Sequence, residues 1–388
     1  MRWVYESYVR LWRKWALWMS RRRPIDSAGA GNENSHFTFR KILVVCTGLI
    51  GDSILCTPAI KELRRLFPDS QIVGLVKRHN WELFDPSGWF DDFILCEASP
   101  FAVRPQRRRL VALTVDQLRG WQFDLALILL GGDWAPLIYR CGIPVRVDSA
   151  DNYFAPLATH LYSIDPRRRH PDECLNALRC LGLDVKSCTP EIRVCPVAKS
   201  ATIAHLVERG FSRSRPLVVF HPFGATANRS LSPNKTMTIL RRLAGLDIQV
   251  AVIGSHGAIA VWRRVIGNLS IDKSLMFDFV GRLSLRESCA LIELADAVLT
   301  TDSGPLHIAG ALRRPTVGLF RAIRPEYATL YDTVIPLFWE GGPECLKGCS
   351  WDSWYGCREA PCRQLEGIED DKIVESVVTL VAGGNRER

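Results

Sequence analysis

The chain has 388 residues, of which 47% are hydrophobic and 23% are charged, and its formal net charge is +9. This composition excludes an intrinsically disordered chain, and the length favours two domains. No uncharged apolar run is long enough to cross a bilayer, which excludes a transmembrane protein. The 13 cysteines are dispersed and follow no secretion signal, which predicts reduced thiols in a cytoplasmic protein.

Residues 1–38 are predicted to be an amphipathic helix and a flexible linker. Residues 1–23 carry seven Lys or Arg against one Glu, so most of the net charge belongs to this segment. The positive charge is therefore little evidence that the rest of the chain binds nucleic acid. Tryptophan and cations together favour a helix lying on the inner face of the cytoplasmic membrane, and the alternative is docking on the body or on a second subunit. The apolar face consists of Val4, Tyr8, Leu11, Trp12, Trp15 and Trp18.

From residue 40 onward, apolar strands alternate with glycine turns and helices. The strand KILVVC (41–46) is followed by the turn TGLIGD (47–52), a helix over 53–67 and a strand over 71–78. This order is a βαβ unit, which requires a parallel sheet. Further strands are predicted over 90–96, 123–131 and 144–149. We therefore expect a doubly wound domain over residues 39–200.

A second alternation of strands and helices begins after Arg215. Strands are predicted over 216–224, 247–255, 277–281, 296–304 and 316–320, with helices over 234–244, 257–269, 284–295 and 305–315. The sequence thus predicts a second doubly wound domain over 201–388. Two such domains in tandem are expected to bind a ligand in a cleft between the carboxyl ends of their sheets.

The turns limit the choice of ligand. The first turn lacks the GxGxxG pattern of dinucleotide-binding proteins, and no GK[ST] of a phosphate-binding loop is present. The turn Thr301-Asp302-Ser303-Gly304 would offer backbone N–H groups to a diphosphate at a helix start, although such a turn by itself is more often a helix cap. Two basic segments, 104–109 and 167–170, are predicted to be loops on the solvated surface. The alternative is that they contact an acidic acceptor near the cleft.

These residues resemble glycosyltransferase family 9, the ADP-heptose lipopolysaccharide heptosyltransferases and their relatives. The resemblance is carried by ILVVCTGLIGDSILCTPAIKELRRLFP (42–68), HPFGATANRSLSP (221–233) and FVGRLSLRESCALIELADAVLTTDSGPLHIAGAL (279–312). It covers about residues 40–375 and implies a GT-B fold, in which two Rossmann-like domains face a central cleft.

The resemblance also implies roles for individual residues. Asp52 matches the catalytic base, and a carboxylate suits that role because a sugar hydroxyl must lose its proton as it attacks; the alternative role for Asp52 is a helix cap. Gly51, Arg104 and Arg168 are predicted to bind the acceptor. The donor-binding residues are predicted to be Gly254, Ser255, Gly281, Leu283, Asp302, Ser303, Gly304 and His307.

One segment departs from the family pattern. Many relatives have K-[RH]-W-P after His-Pro-x-Gly-Ala, whereas this chain has Asn-Arg-Ser-Leu-Ser-Pro over 228–233. Arg229 is the nearest cation and is predicted to neutralise the leaving diphosphate. The departure bears on the identity of the donor sugar more than on the fold.

Four cysteines near the end of the chain are candidates for a structural zinc or iron site. Their spacing is looser than that of CxxC pairs, so free thiols are the alternative. Catalysis is expected to need no cofactor. The four cysteines are Cys345, Cys349, Cys357 and Cys362.

The function expected from the sequence is that of an inverting glycosyltransferase. It would transfer a sugar, heptose above all, from an ADP-heptose-like donor to a lipopolysaccharide-core or other lipid-linked glycan at the cytoplasmic membrane face. A family member using another nucleotide sugar and a non-catalytic nucleotide-sugar or glycan-binding protein are the alternatives. A metal-dependent nucleotidyl or phosphoryl enzyme is disfavoured, because no DxD lies near the predicted cleft.

Overall fold

The computed structural model describes residues 38–102, 104–163, 170–186, 188–321, 331–339 and 360–384. The amphipathic helix predicted over 1–23 lies outside these residues. The chain divides into two compact units, Met1–Pro190 and Glu191–Arg388.

The division between the units comes earlier than the predicted boundary after residue 200. The helix Pro196–Glu208 crosses that position and packs on the helix Leu285–Leu294, which belongs to the second unit. A boundary at residue 200 would cut this helix, so Pro196–Glu208 belongs with the second unit.

The first unit alternates strands and helices along the chain. Its strands are β1 (Lys41–Cys46), β2 (Gln71–Lys77), β3 (Asp92–Cys96), β4 (Leu125–Leu130), β5 (Val145–Ser149) and β6 (His160–Tyr162). Its helices are α1 (Ile50–Leu55), α2 (Thr57–Leu66), α3 (Trp81–Phe84), α4 (Pro105–Trp121), α5 (Ala135–Arg140) and α6 (His170–Arg179).

These strands form one parallel sheet in the order β3-β2-β1-β4-β5-β6. The central strand β1 is apolar and buried from Ile42 to Cys46, as expected for a parallel strand with both faces covered. The chain passes from β1 to β2 on one side and later to β4 on the other. The switch in direction therefore lies at the carboxyl ends of β1 and β4, where α/β sheets bind ligands.

The second unit repeats this alternation. Its strands are β7 (Leu217–His221), β8 (Gln249–Gly254), β9 (Met276–Val280), β10 (Ala297–Thr301), β11 (Thr316–Leu319) and β12 (Val334–Leu337). Its helices are α7 (Pro196–Glu208), α8 (Pro233–Gly245), α9 (Ile259–Ile266), α10 (Leu285–Leu294), α11 (Gly304–Ala311), α12 (Arg363–Glu366) and α13 (Asp370–Gly384).

The second sheet is also parallel, in the order β12-β11-β10-β7-β8-β9. Val219 of β7 pairs with Ala251 on one side and with Val298 on the other. The switch point of this sheet lies at the carboxyl ends of β7 and β10. The predicted α/β class with two doubly wound sheets is confirmed.

Two predictions of local structure are wrong. The basic segment 104–109 is not a loop, because α4 begins at Pro105, and proline suits the first position of a helix. The single helix predicted over 53–67 is two helices, α1 and α2. Pro58 has no N–H to donate to the carbonyl of Ile54, and the Thr57 hydroxyl donates to that carbonyl instead, at 2.7 Å.

Within the part of the chain that the structure describes, no helix is both long and apolar enough to span a membrane.

Candidate active site

Asp52 lies in the first turn of α1, directly after the loop that follows β1. Its Oδ2 accepts a hydrogen bond from the backbone N–H of Leu49 at 3.0 Å. This is the helix-start contact given above as the alternative to catalysis, and it occupies one oxygen of the carboxylate. Among the described residues, no hydrogen-bond donor reaches the other oxygen, Oδ1. Because the side chain is half-buried, that oxygen is held in place and can accept a proton from a bound molecule.

The loop between β1 and α1 is fixed from both neighbouring strands. Asn80, which follows β2 and is fully buried, donates to the carbonyl of Gly48 at 3.1 Å and to Ser53 Oγ at 2.9 Å. From the other side, the N–H of Thr47 donates to the carbonyl of Leu130 at the end of β4, at 3.0 Å. Asn80 was not predicted, because a single asparagine after a strand carries no signal until that strand is known to lie next to β1.

A cavity of about 910 Å³ opens at the carboxyl ends of β1 to β4. Arg78 on its wall forms an ion pair with Glu97 at 2.5 Å. Burial, together with the charge of Lys77, lowers the pKa of His79, so this ring is neutral at pH 7. Balanced charges and aromatic rings suit a polar ligand such as a sugar. The charged and aromatic residues of the lining are Lys77, Arg78, His79, Trp81, Glu82, Glu97, Arg107, Asp133 and Trp134.

Two of the residues predicted to bind an acceptor, Gly51 and Arg104, are not part of the described lining. Gly51 is buried within α1, and Arg104 is exposed at the start of α4. Arg107, from the same basic segment as Arg104, does line the cavity because α4 places it one turn further on. Arg168 lies outside the described residues.

In the second unit, Ser303 precedes α11 and lies beside His221 at the end of β7. The hydroxyl of Ser303 donates to the carbonyl of Thr301 at 3.0 Å and lies 3.1 Å from Nδ1 of His221. Desolvation lowers the pKa of His221 to about 4, so the ring is neutral at pH 7. Ser303 Oγ and Nδ1 of His221 are therefore within hydrogen-bond distance, and the tautomer of the neutral ring decides which of them donates. His221 lies in a segment that carried the family resemblance, but no role was predicted for it.

Arg229 reaches the same turn from the loop that follows β7. Its Nη2 donates to the backbone carbonyl of Asp302 at 3.1 Å and lies 3.8 Å from Asp302 Oδ2. The side chain of Arg229 is only 14% exposed. Arg321, two residues after the end of β11, donates to the carbonyl of Asn228 at 3.4 Å. Two guanidinium groups therefore hold the loop that contains Arg229 at the edge of the sheet where α11 begins.

His307 lies in the first turn of α11 and contacts Tyr331. The Nδ1 atom of His307 is 3.2 Å from the Tyr331 hydroxyl, and the two rings meet edge to face. Burial raises the pKa of the Tyr331 hydroxyl, which stays protonated at neutral pH. The contact fixes the orientation of the His307 ring. Tyr331 was not predicted, because it is distant in sequence.

The other predicted donor-binding residues follow β8 and β9. The N–H of Gly281 donates to the carbonyl of Gly254 at 2.8 Å, so the two turns touch. Ser255 is exposed, and Leu283 is half-buried. The structure thus brings the predicted donor-binding residues to one edge of one sheet, at the carboxyl ends of β7 to β10.

The predicted metal site is described only in part. Cys362 is buried in the hydrophobic core of the second unit, and the other three candidate cysteines lie outside the described residues. Within the described ranges, no cluster of three or more His, Cys, Asp or Glu side chains is arranged to hold a metal ion. The ten described cysteines are free thiols.

Residues 115–352 match the profile of "Glycosyltransferase family 9 (heptosyltransferase)". The lipopolysaccharide heptosyltransferase 2 of Escherichia coli is 26% identical over 140 residues, which are 36% of this chain and 39% of that protein. The match therefore spans about two fifths of the length of this curated relative.

Solved structures resemble the chain over a greater length. A glycosyltransferase family 9 structure from Veillonella parvula has a TM-score of 0.75 at 18% identity, covering 91% of this chain and 100% of its own. The E. coli heptosyltransferase WaaC, solved with ADP-2-deoxy-2-fluoro heptose, has a TM-score of 0.61 at 15% identity, covering 78% of this chain and 94% of its own. At these identities the likeness concerns the fold.

Proposed function

The chain belongs to glycosyltransferase family 9, and from that membership we propose that it is an inverting glycosyltransferase that uses a nucleotide-sugar donor. The proposed donor is ADP-heptose or a close analogue, a choice supported by the ADP-2-deoxy-2-fluoro heptose named with WaaC. The observation that carries the proposal is the polar cluster at the carboxyl edge of the second sheet. It combines a helix start at Ser303 with the guanidinium group of Arg229, and such a pair suits a diphosphate.

In the proposed reaction, an acceptor hydroxyl oxygen attacks the anomeric carbon of the donor sugar. The bond from that carbon to the β-phosphate oxygen breaks, and the nucleoside diphosphate leaves with the electron pair. The hydroxyl proton passes to Oδ1 of Asp52, while Oδ2 keeps its bond to Leu49. Arg229 and the N–H groups at the start of α11 stabilise the charge that grows on the diphosphate. A single displacement inverts the anomeric carbon, and none of these steps requires a cofactor.

The proposed acceptor is a lipopolysaccharide-core or other lipid-linked glycan at the inner face of the cytoplasmic membrane. The 910 Å³ cavity supports an acceptor site in the first unit, because it opens where β1 leads to the loop before Asp52. Trp81 on its wall suits the apolar face of a sugar ring, and the charged groups around it suit the hydroxyls. Binding of the N-terminal segment to that membrane, and a structural metal held by the four cysteines, remain parts of this proposal.

Donor binding is tested by thermal unfolding with nucleotides and nucleotide sugars. We expect ADP and ADP-heptose to raise the melting temperature more than UDP-, GDP- or CMP-sugars do, because a ligand that binds only the native state stabilises it. Ser303→Ala should weaken ADP binding, since it removes a hydroxyl beside the start of α11. Ser214→Ala, on the exposed surface of the same unit, is the matched control. Equal ADP affinity in Ser303→Ala and the wild type would contradict this donor site.

The non-catalytic alternative predicts the same binding but no transfer. It is separated from the proposed function by incubating the protein with donor and a purified lipopolysaccharide-core acceptor and measuring the glycosylated product by mass spectrometry.

A further inference from the structure

Asp148 is a buried carboxylate near the end of β5, outside the residues assigned to the reaction so far. It is 2% exposed, and each of its oxygens accepts a hydrogen bond. Oδ1 accepts from the backbone N–H of Ser149 at 2.8 Å, and Oδ2 accepts from the side-chain amide of Asn152 at 2.5 Å. The oxygen of that amide accepts from the N–H of Phe154 at 3.3 Å, so the orientation of Asn152 is fixed from both ends.

The amide of Asn152 packs directly against the turn that follows β4. A β-carbon placed on Gly132 would lie only 2.2 Å from Nδ2 of Asn152, so the amide occupies the space where another residue would have its side chain. The preceding residue, Gly131, has a φ of 106°. A β-carbon there would lie 2.0 Å from the Thr47 hydroxyl. The turn is thus in contact with Asn152 on one side and with Thr47 on the other.

Thr47 connects this turn to the catalytic loop. Its N–H is bonded to the carbonyl of Leu130, one residue before Gly131, and two residues later the N–H of Leu49 is bonded to Asp52. A continuous series of short contacts therefore runs from Asp148 through Asn152 and the glycine turn to the carboxylate of Asp52.

We propose that Asp148 and Asn152 are positioning residues, which hold the Gly131-Gly132 turn and through it the loop that orients Asp52. The effect on turnover rests on the proposed function, in which Asp52 is the base. Neither residue touches the reacting atoms, and both act through packing of the turn.

The surroundings of Asp148 make its contact with Asn152 sensitive to pH. Within the described structure, the cavity of about 290 Å³ beside Asp148 has no Lys, Arg or His in its lining. Burial raises the pKa of Asp148 to about 7, although the bonds from Asn152 and Ser149 oppose the rise. Burial also lowers the pKa of His160 on the neighbouring strand β6, which is neutral at pH 7. The titratable groups that line the cavity with Asp148 are Asp133, Asp151, Tyr162, Glu173 and Cys174.

Protonation of Asp148 opposes the contact with Asn152. The ionised carboxylate accepts from two N–H donors, whereas a protonated carboxyl must place a proton on one of its oxygens. A carboxyl that has lost its charge is a weaker acceptor, and a proton on Oδ2 would face the Asn152 amide hydrogens, so the bond from Asn152 is weakened. We therefore expect the turn to be held firmly above pH 7 and loosened below it.

Three variants test this proposal through the pH dependence of turnover. In the wild type, kcat should rise with pH around pH 7, and this rising limb of the pH profile should follow the ionisation of Asp148. Asp148→Asn cannot ionise, so its kcat should be about 10- to 100-fold lower at pH 8 and flat across that limb, with the donor KM unchanged. Asn152→Ala removes the amide that connects Asp148 to the turn, so its kcat should also be lower at pH 8 and its limb should flatten. Asp69→Asn, at an exposed carboxylate of the same unit, should match the wild type.

Thermal stability distinguishes a loss of positioning in Asp148→Asn from damage to its fold. The raised pKa of Asp148 means that the native state holds a proton which the unfolded chain releases near pH 4, so stability falls as pH rises from about 4 to about 7. Asparagine has no charge to bury. Asp148→Asn should therefore melt no lower than the wild type at pH 8 while turning over more slowly. Wild-type kcat at pH 8 with an unchanged limb, in both Asp148→Asn and Asn152→Ala, would overturn the proposal.

Hydrogen exchange tests the same proposal without any enzymatic activity. The amides of residues 47–52 should exchange faster in Asp148→Asn and Asn152→Ala than in the wild type or Asp69→Asn, because the bonds of Thr47 and Leu49 are loosened. Equal exchange in all four proteins would overturn the positioning role. Faster exchange in a protein that transfers no sugar would instead count against the proposed function alone.

Discussion

Asp52→Asn should lower turnover by about two to four orders of magnitude, the range for losing a general base. Asparagine has nearly the same shape and still offers an oxygen to the N–H of Leu49, so α1 and its loop should keep their structure. It has no basic oxygen to receive the proton of the attacking hydroxyl. Initial rates at saturating donor, together with donor affinity by calorimetry, measure the two effects separately.

The matched control for Asp52→Asn is the same change at Asp116, which lies on α4 with its side chain 70% exposed. Asp116→Asn should retain the turnover of the wild type. Donor affinity should be unchanged in both variants, since the proposed donor residues belong to the second unit. If Asp52→Asn kept turnover within threefold of the wild type, Asp52 would not be the base.

Arg229→Ala should lower turnover by about 10²- to 10³-fold, as is typical when one group that stabilises transition-state charge is removed. The guanidinium group lies at the turn of Asp302, where charge on a departing diphosphate would grow. Affinity for ADP should fall while affinity for AMP, which lacks the second phosphate, should change little. Arg229→Lys should recover part of the loss, because an ammonium group supplies the charge without the planar fork of donors.

Arg313→Ala is the control for the arginine variants. Arg313 follows α11 in the same unit, with its side chain 68% exposed in an ion pair with Asp332 at 3.3 Å. Surface pairs of this kind contribute little to stability, so Arg313→Ala should bind ADP and turn over like the wild type. A turnover of Arg229→Ala equal to that of the control would exclude Arg229 from stabilising the leaving group.

The main architecture followed from local patterns in the sequence. Runs such as LALILL, which became β4, are apolar throughout because both faces of a central parallel strand are covered. Shorter edge strands were not predicted: β6 has three residues, and β12 contains Pro336 among only four. Such segments carry too little periodicity to be distinguished from loops.

Some site residues could likewise be predicted from local patterns, and others could not. Asp52 and Ser303 were predicted because each sits in a turn whose local pattern resembles a known family, and the structure places each of them at a helix start. The positions of three other residues depend on the order of the strands and on the packing of distant segments. These residues are Asn80, His221 and Tyr331. No pattern of neighbouring residues encodes that order, so their contacts became visible only in three dimensions.

The configuration of the anomeric carbon in the product is the decisive observable. The protein is incubated with ADP-heptose and a lipopolysaccharide-core acceptor, and the new glycosidic linkage is assigned by NMR, with Asp52→Asn in parallel. A single displacement assisted by Asp52 predicts a product of inverted configuration, formed by the wild type and almost absent with the variant. A product of retained configuration, or release of ADP at equal rates by both proteins without glycosylation of the acceptor, would contradict an inverting transferase that uses Asp52 as its base.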